Sequence, residues 1–126
     1  MSSDQPLLLA KALQNFRAAQ LLLKQELYDA AVSRAYYAAY LAARAALLGI
    51  GRGEDKHDRV QAAFAEELVN RRKVYPGKQG ALLDLMTLRH KADYRAESVT
   101  AKQAARGVRK AEAFVTAIHE ELRNDR

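Results

Sequence analysis

Apolar residues in this chain return every three or four positions and almost nowhere every second one. That period is one face of an α-helix rather than of a strand. Leu9, Leu13, Phe16, Gln20 and Leu23 predict a first helix over Pro6–Gln25, with Asp4 as its N-cap and Pro6 near the first turn, where a missing N–H is tolerated. A second helix is predicted over Tyr28–Leu48, stopped by Gly49 acting as a left-handed terminator. Val60, Ala63, Phe64 and Leu68 make the stripe of a third, over Lys56–Val69. A fourth starts after Gly80 and passes through Leu82, Leu85, Met86 and Leu88; the pattern does not fix its end. Ala104, Val108, Ala111, Val115, Ile118 and Leu122 share one face of a last helix over Ala101–Leu122, capped by Thr100. The clusters GIGRG (Gly49 to Gly53) and PGKQG (Pro76 to Gly80) punctuate the chain. Short loops between long amphipathic helices make neighbours antiparallel. The predicted fold is all-α, an up-and-down antiparallel bundle of four to five helices in a single domain over residues 1–126.

The second helix reads YDAAVSRAYYAAYLAARAALL. Its alanines favour helix and allow close approach of neighbouring backbones, leaving gaps that large rings can fill. Tyr36 and Tyr40 share one face, Ser33 and Tyr37 another. Two readings stand: the tyrosines pack in a core or interface with hydroxyls at the rim, or Ser33, Arg34 and Tyr37 face a ligand.

Composition narrows the chemistry. With no cysteine there are no disulfides, thiolate zinc sites or thiol nucleophiles. No apolar run approaches the roughly 20 residues of a membrane span, and no signal-peptide layout opens the chain, so a cytoplasmic protein with no membrane partner is expected. The net charge of +6 suits a polyanionic partner or simple solubility. The excess is spread over all thirds of the sequence, so any basic face is assembled by folding. There is no P-loop, dinucleotide turn, H-E-x-x-H or nucleophile elbow. His57, His90 and His119 fall on different predicted elements, and neither metal nor cofactor is expected.

The densest chemistry is RHKADY, Arg89 to Tyr94. If helix persists through it, residues one turn apart lie within about 40° of each other. Arg89 then sits over Asp93, and His90 over Tyr94. A purely structural use is open: Asp93 pairs with Arg89 or caps a turn, and Tyr94 packs on the end of the bundle.

SRAYYAAYLAARAALL (Ser33 to Leu48), KH with VQAAF (Lys56 to Phe64), LRHKADY (Leu88 to Tyr94) and AEAFVTAIHEEL (Ala111 to Leu122) together resemble the HEPN family, best its small stand-alone prokaryotic members. The order and spacing agree over roughly residues 5 to 122. The resemblance implies a helical bundle, a homodimer, and a toxin-like component of a two-gene module whose antitoxin is a nucleotidyltransferase. It also implies metal-independent endoribonuclease activity, whose signature is Arg followed after four to six residues by His, or in some branches by a Tyr that can receive a nucleotidyl group. Arg89 with Tyr94 and Arg52 with His57 both fit, as do Arg34 and Tyr40 inside the packing helix, so spacing does not decide. The family places its motif just before the final helix, which favours Arg89 and Tyr94; His57 matches a histidine seen in relatives and is a secondary candidate with Asp93, Arg34 and Tyr37.

The chemistry implied needs a base for the 2′-hydroxyl, an acid for the 5′-oxygen and a cation for the phosphorane. Arg89 suits the cation role, because a guanidinium is always charged and grips phosphate with two N–H groups. The phenol of Tyr94 can donate a proton, and the imidazole of His90 beside it is the side chain best suited to the acid and base roles. Lys91, Arg95, Lys102 and Arg106 would track RNA phosphates, with Arg109, Lys110 and the loop cations Arg71, Arg72, Lys73 and Lys78 as either rim or solvated surface. The alternative is a non-catalytic HEPN module that binds a nucleotidyltransferase partner or a nucleotide.

Overall fold

The computed structural model describes residues 4–78 and 80–124. Its elements are α1 (Asp4–Lys24), α2 (Tyr28–Leu48), α3 (His57–Ala63), a π-helix (Phe64–Arg71) that continues α3, α4 (Ala81–Tyr94) and α5 (Ala101–Asn124). No strand occurs among the described residues. The all-α bundle predicted from periodicity is what forms.

The bundle is built around α2, which packs against α1, α3, α4 and α5. Its alanines explain this centrality. Ala31, Ala35, Ala38, Ala39, Ala42, Ala43, Ala45 and Ala46 are all buried, so neighbours approach close to the helix backbone on several sides. Tyr36, Leu47, Phe64, Leu85, Phe114 and Ile118 are the large side chains that fill what remains. Phe64 stands between Phe114, at 4.9 Å between ring centroids, and Tyr75, at 5.4 Å. Every residue named for the stripe of α5 is buried except Leu122, which packs at the edge. On α1 the fully buried positions are Ala12 and Ala19; Leu9, Leu13, Phe16 and Leu23 flank them half-buried, and Gln20 is exposed.

Element ends are set by local hydrogen bonding. At the end of α1, Leu27 N–H donates to the Leu22 carbonyl (3.0 Å) and Glu26 N–H to the Leu23 carbonyl (3.0 Å), with Glu26 in the left-handed region at φ 62°. This is the Schellman closure, here with Glu where Gly is usual. Asp4 opens α1 from within its first turn, rather than capping it from outside. Thr100 does cap α5, and reciprocally: Gln103 N–H donates to Thr100 Oγ1 (3.0 Å) while Thr100 N–H donates to Gln103 Oε1 (2.9 Å), a capping box.

Two expectations are corrected. Gly49 follows the last residue of α2, as expected, but it is right-handed, at φ −62°, rather than left-handed. The left-handed residue is Gly51, at φ 79°; its N–H donates to Leu48 and that of Arg52 to Leu47. Space at Gly49 is tight, since a Cβ there would lie 2.9 Å from Gln5 Nε2 of α1 and 3.1 Å from the Ala46 carbonyl. The third helix also differs: it leaves α geometry at Phe64 and runs as π-helix to Arg71. Phe64, Leu68 and Val69 are buried together, at offsets of four and five, which a coil bonded i to i+5 accommodates.

Candidate functional site

RHKADY is helical to its last residue, since α4 ends at Tyr94. Both predicted columns form. Arg89 Nη1 lies 3.5 Å from Asp93 Oδ2, and the rings of His90 and Tyr94 are 5.2 Å apart.

The two columns face different surroundings. Arg89 turns inward, its side chain only 13% exposed, onto the tyrosines of α2. Its guanidinium carbon is 5.0 Å from the Tyr36 ring centroid, 5.5 Å from that of Tyr37 and 5.9 Å from that of Tyr94. Nη1 donates to the Tyr37 hydroxyl (3.2 Å), while the buried Nε–H has no partner among the described residues. Ring faces attract a cation, so the charge is held mainly by aromatic surfaces and one carboxylate. Asp93 in turn accepts from the Ser33 hydroxyl. Arg34 lies 5.0 Å over Tyr37 from α1's side, where its Nη1 donates to Asn15 Oδ1 (2.9 Å).

His57 joins this cluster across 32 residues of sequence. The loop after α2 folds back and places its ring 4.2 Å from Tyr40, nearly parallel at 12°, with Tyr36 at 5.5 Å and Tyr37 at 5.9 Å. The Tyr36 hydroxyl is hydrogen-bonded to His57 Nδ1, and the Tyr40 hydroxyl donates to the Asp55 carbonyl. Burial lowers the His57 pKa from its ordinary value; the Arg89 charge lowers it further, and Asp58 partly opposes both. Tyr36 is pushed up to about 12, chiefly by burial, with Arg89 pulling the other way. Burial also raises Tyr40.

His90 and Tyr94 face outward, into a groove of about 700 Å³ between α4 and α5. Its apolar lining is Leu85, Met86, Leu88 and the backbone of Gly107; Lys91, Arg95, Arg106 and Lys110 bring the charge. Lys91 donates to Gln103 Oε1 (3.2 Å) and Lys110 to Asp84 Oδ2 (2.7 Å). The side chains of Arg95 and Arg106 make no hydrogen bond or ion pair among the described residues; the Arg95 backbone N–H donates to the Lys91 carbonyl (3.3 Å). Tyr94, 69% exposed, bridges the two halves, close to Arg89 on one side and His90 on the other.

Arg89, Asp93, Ser33, Arg34, Tyr37 and His57 are thus brought together on the α2 side; His90, Tyr94, Lys91, Arg95 and Arg106 on the groove side. Lys102 is exposed outside the groove lining. Arg52 is committed to Glu54 at 2.9 Å and stands apart. Of the two readings of the α2 tyrosines, packing fits Tyr36 and Tyr40, whose rings are buried and whose hydroxyls hold the segment that carries His57. Among the described residues no three His, Cys, Asp or Glu side chains converge as a metal would require.

Comparison with known proteins assigns the class. Residues 6–122 match the HEPN domain model, and the chain belongs to that family. One relative, from Methanocaldococcus jannaschii and named "Putative toxin MJ0605", is 34% identical over 110 residues, covering 87% of this chain and 82% of its own length. Another, "UPF0332 protein glr0978" of Gloeobacter violaceus, is 32% identical over 94 residues, covering 75% of each chain.

Proposed function

We propose that the protein is the toxin-like member of a two-gene module, acting on RNA as a metal-independent endoribonuclease and restrained by a nucleotidyltransferase antitoxin. The supporting observation is the junction at Tyr94: a phenol flanked by an aromatic-caged arginine and by an exposed histidine, at the mouth of a cationic groove. The word toxin in the archaeal relative's name agrees with this reading.

In the reaction proposed, His90 takes the proton of the RNA 2′-hydroxyl and the 2′-oxygen attacks phosphorus. The bond to the 5′-oxygen breaks as Tyr94 donates its phenolic proton to it, leaving a 2′,3′-cyclic phosphate and a 5′-hydroxyl, and the proton held by His90 then restores the phenol. Arg89 offsets the extra negative charge of the phosphorane; its Nε–H is buried, so the anion is met by the terminal Nη groups. Lys91, Arg95 and Arg106 track the flanking phosphates. A homodimer across the groove and a cytoplasmic site of action complete the proposal.

The test is induced expression with growth and total RNA followed over time. Arg89→Ala is a poor sole probe, because it strips the tyrosine cage and strands Asp93. His90→Gln and Tyr94→Phe alter exposed groups and should leave stability within about 0.5 kcal/mol. Each should slow RNA fragmentation by about 10²-fold or more while circular dichroism stays unchanged. A wild type that leaves growth and RNA untouched sinks the nuclease reading.

The exposure of Tyr94 favours a second reading, a non-catalytic module whose phenol is offered to the nucleotidyltransferase. Intact mass after co-expression with that partner checks it: a nucleotidyl adduct absent from Tyr94→Phe supports it, and an unmodified wild type removes it.

A further inference from the structure

We infer that His57 is a positioning residue for Arg89, acting through Tyr36, and that neutral imidazole is the form that holds the guanidinium in place. The inference rests on Arg89 being the anion-binding group of the proposed function.

Arg89 has few directional restraints of its own. One hydrogen bond to Tyr37 and a long contact to Asp93 are supplemented by rings, and Nε–H has no partner. The ring nearest its charge is that of Tyr36, at 5.0 Å. The orientation of Tyr36 therefore sets the surface on which the guanidinium rests. Tyr36 is fixed at its far end by the hydrogen bond between its hydroxyl and His57 Nδ1. His57 is fixed in turn by its stack on Tyr40, whose own hydroxyl ties the Asp55 carbonyl two residues before it. A continuous chain of contacts runs from the Gly51–Lys56 loop through His57 and Tyr36 to Arg89.

The charges around this chain make it sensitive to the state of His57. From α2 it meets Tyr36, Tyr37 and Tyr40; from α4, Arg89; from its own helix, Asp58. Arg89 carries its charge at every working pH. Protonated His57 puts a second cation into the same half-buried aromatic cluster, competing for the ring faces that hold the first. The expected consequence is that Arg89 shifts or loosens as His57 gains its proton, even though the two side chains share no hydrogen bond.

The test reads Arg89 directly, by its side-chain ¹⁵Nε resonance between pH 8 and pH 5 in full-length protein. A His90→Gln background removes the neighbouring histidine. In that background the Arg89 signal should move or broaden with the same midpoint as His57. His57→Asn, which offers an amide near the position of Nδ1 and does not titrate, should hold the pH 8 signal down to pH 5. His57→Phe keeps a ring without the acceptor, and should shift the Arg89 signal already at pH 8. Tyr36→Phe, which deletes only the hydroxyl, replaces it if His57→Phe does not fold. An Arg89 signal indifferent to the His57 titration overturns the inference. So does one that is the same with phenylalanine at 57, or at 36 where that variant is used, as in the parent. No RNA is needed, so a protein without nuclease activity would defeat the proposed function and leave this coupling fully measurable.

Discussion

At the scale of single residues, the site combines one group readable from its neighbours with one that is not. Arg89 over Asp93 and His90 beside Tyr94 follow from an i, i+4 spacing, and the structure has both pairs. That Arg89 turns to Tyr36 and Tyr37, 52 positions from the latter, depends on how α4 lies on α2, which no local pattern encodes. His57 is the sharper case: no local pattern places it beside Arg89, yet the segment after α2 returns it to the cluster. Its lowered pKa has a measurable consequence. The folded protein binds this proton less readily than the unfolded chain, so stability is complete above about pH 6.5. It declines as pH falls from there through the folded value. Thermal melts from pH 7.5 to pH 5 should show a steeper loss of Tm in wild type than in His57→Asn; equal slopes would mean that His57 is not the group responsible. The Tyr36 hydroxyl, pushed up to about 12, keeps its proton throughout that range.

At the scale of elements, the closeness of α4 and α5 is set by Gly107. A Cβ there would lie 2.8 Å from Leu88 Cδ2 and 3.8 Å from Leu85 Cδ2, both on α4. Gly107→Val should therefore push the helices apart at the groove and cost about 1–3 kcal/mol in urea denaturation. A variant as stable as wild type would show that Leu88 simply turns aside. Helix existence was legible because stripes such as Val60, Ala63, Phe64 and Leu68 repeat, and because Thr100, a good capping residue, stands just before the last stripe. The π-helix was not: four-residue and five-residue offsets look alike over so short a stripe. Nor was the place of the left-handed residue: α2 stops at Gly49 as its sequence suggests, but the positive φ falls two residues later, at Gly51.

At the scale of the molecule, the net charge of +6 acquires a direction only through folding. Lys91 on α4, Arg95 just after it, and Arg106 and Lys110 on α5 meet along one groove, which explains why no basic segment stands out in the sequence. If those four contact phosphates of single-stranded RNA, the logarithm of the binding constant should fall with log salt at a slope of about −3. Arg95→Gln with Arg106→Gln should flatten that slope by about 1.4, since roughly 0.7 is lost per phosphate contact. Fluorescence anisotropy with a labelled oligonucleotide over a salt series measures both; a slope near zero would show that the groove does not track a backbone. The bundle itself was readable because every helix has its own apolar stripe, whereas the groove was not, because it belongs to a pair.

The tyrosine hydroxyls that tie down the segment after α2 also bear on how the chain is cut. Gly51, Arg52, Gly53 and Lys56 give that stretch the composition of a protease-sensitive loop. Lys56 itself is exposed, but the expectation is that trypsin cuts chiefly in molecules where His57 has left its stack and Asp55 has lost the Tyr40 hydroxyl, freeing the backbone to extend. When closing is fast relative to cleavage, the nicking rate follows the population of that open form. The half-life of the bond after Lys56 thus becomes a clock for the aromatic cluster, readable on a gel without any substrate for the site beneath it.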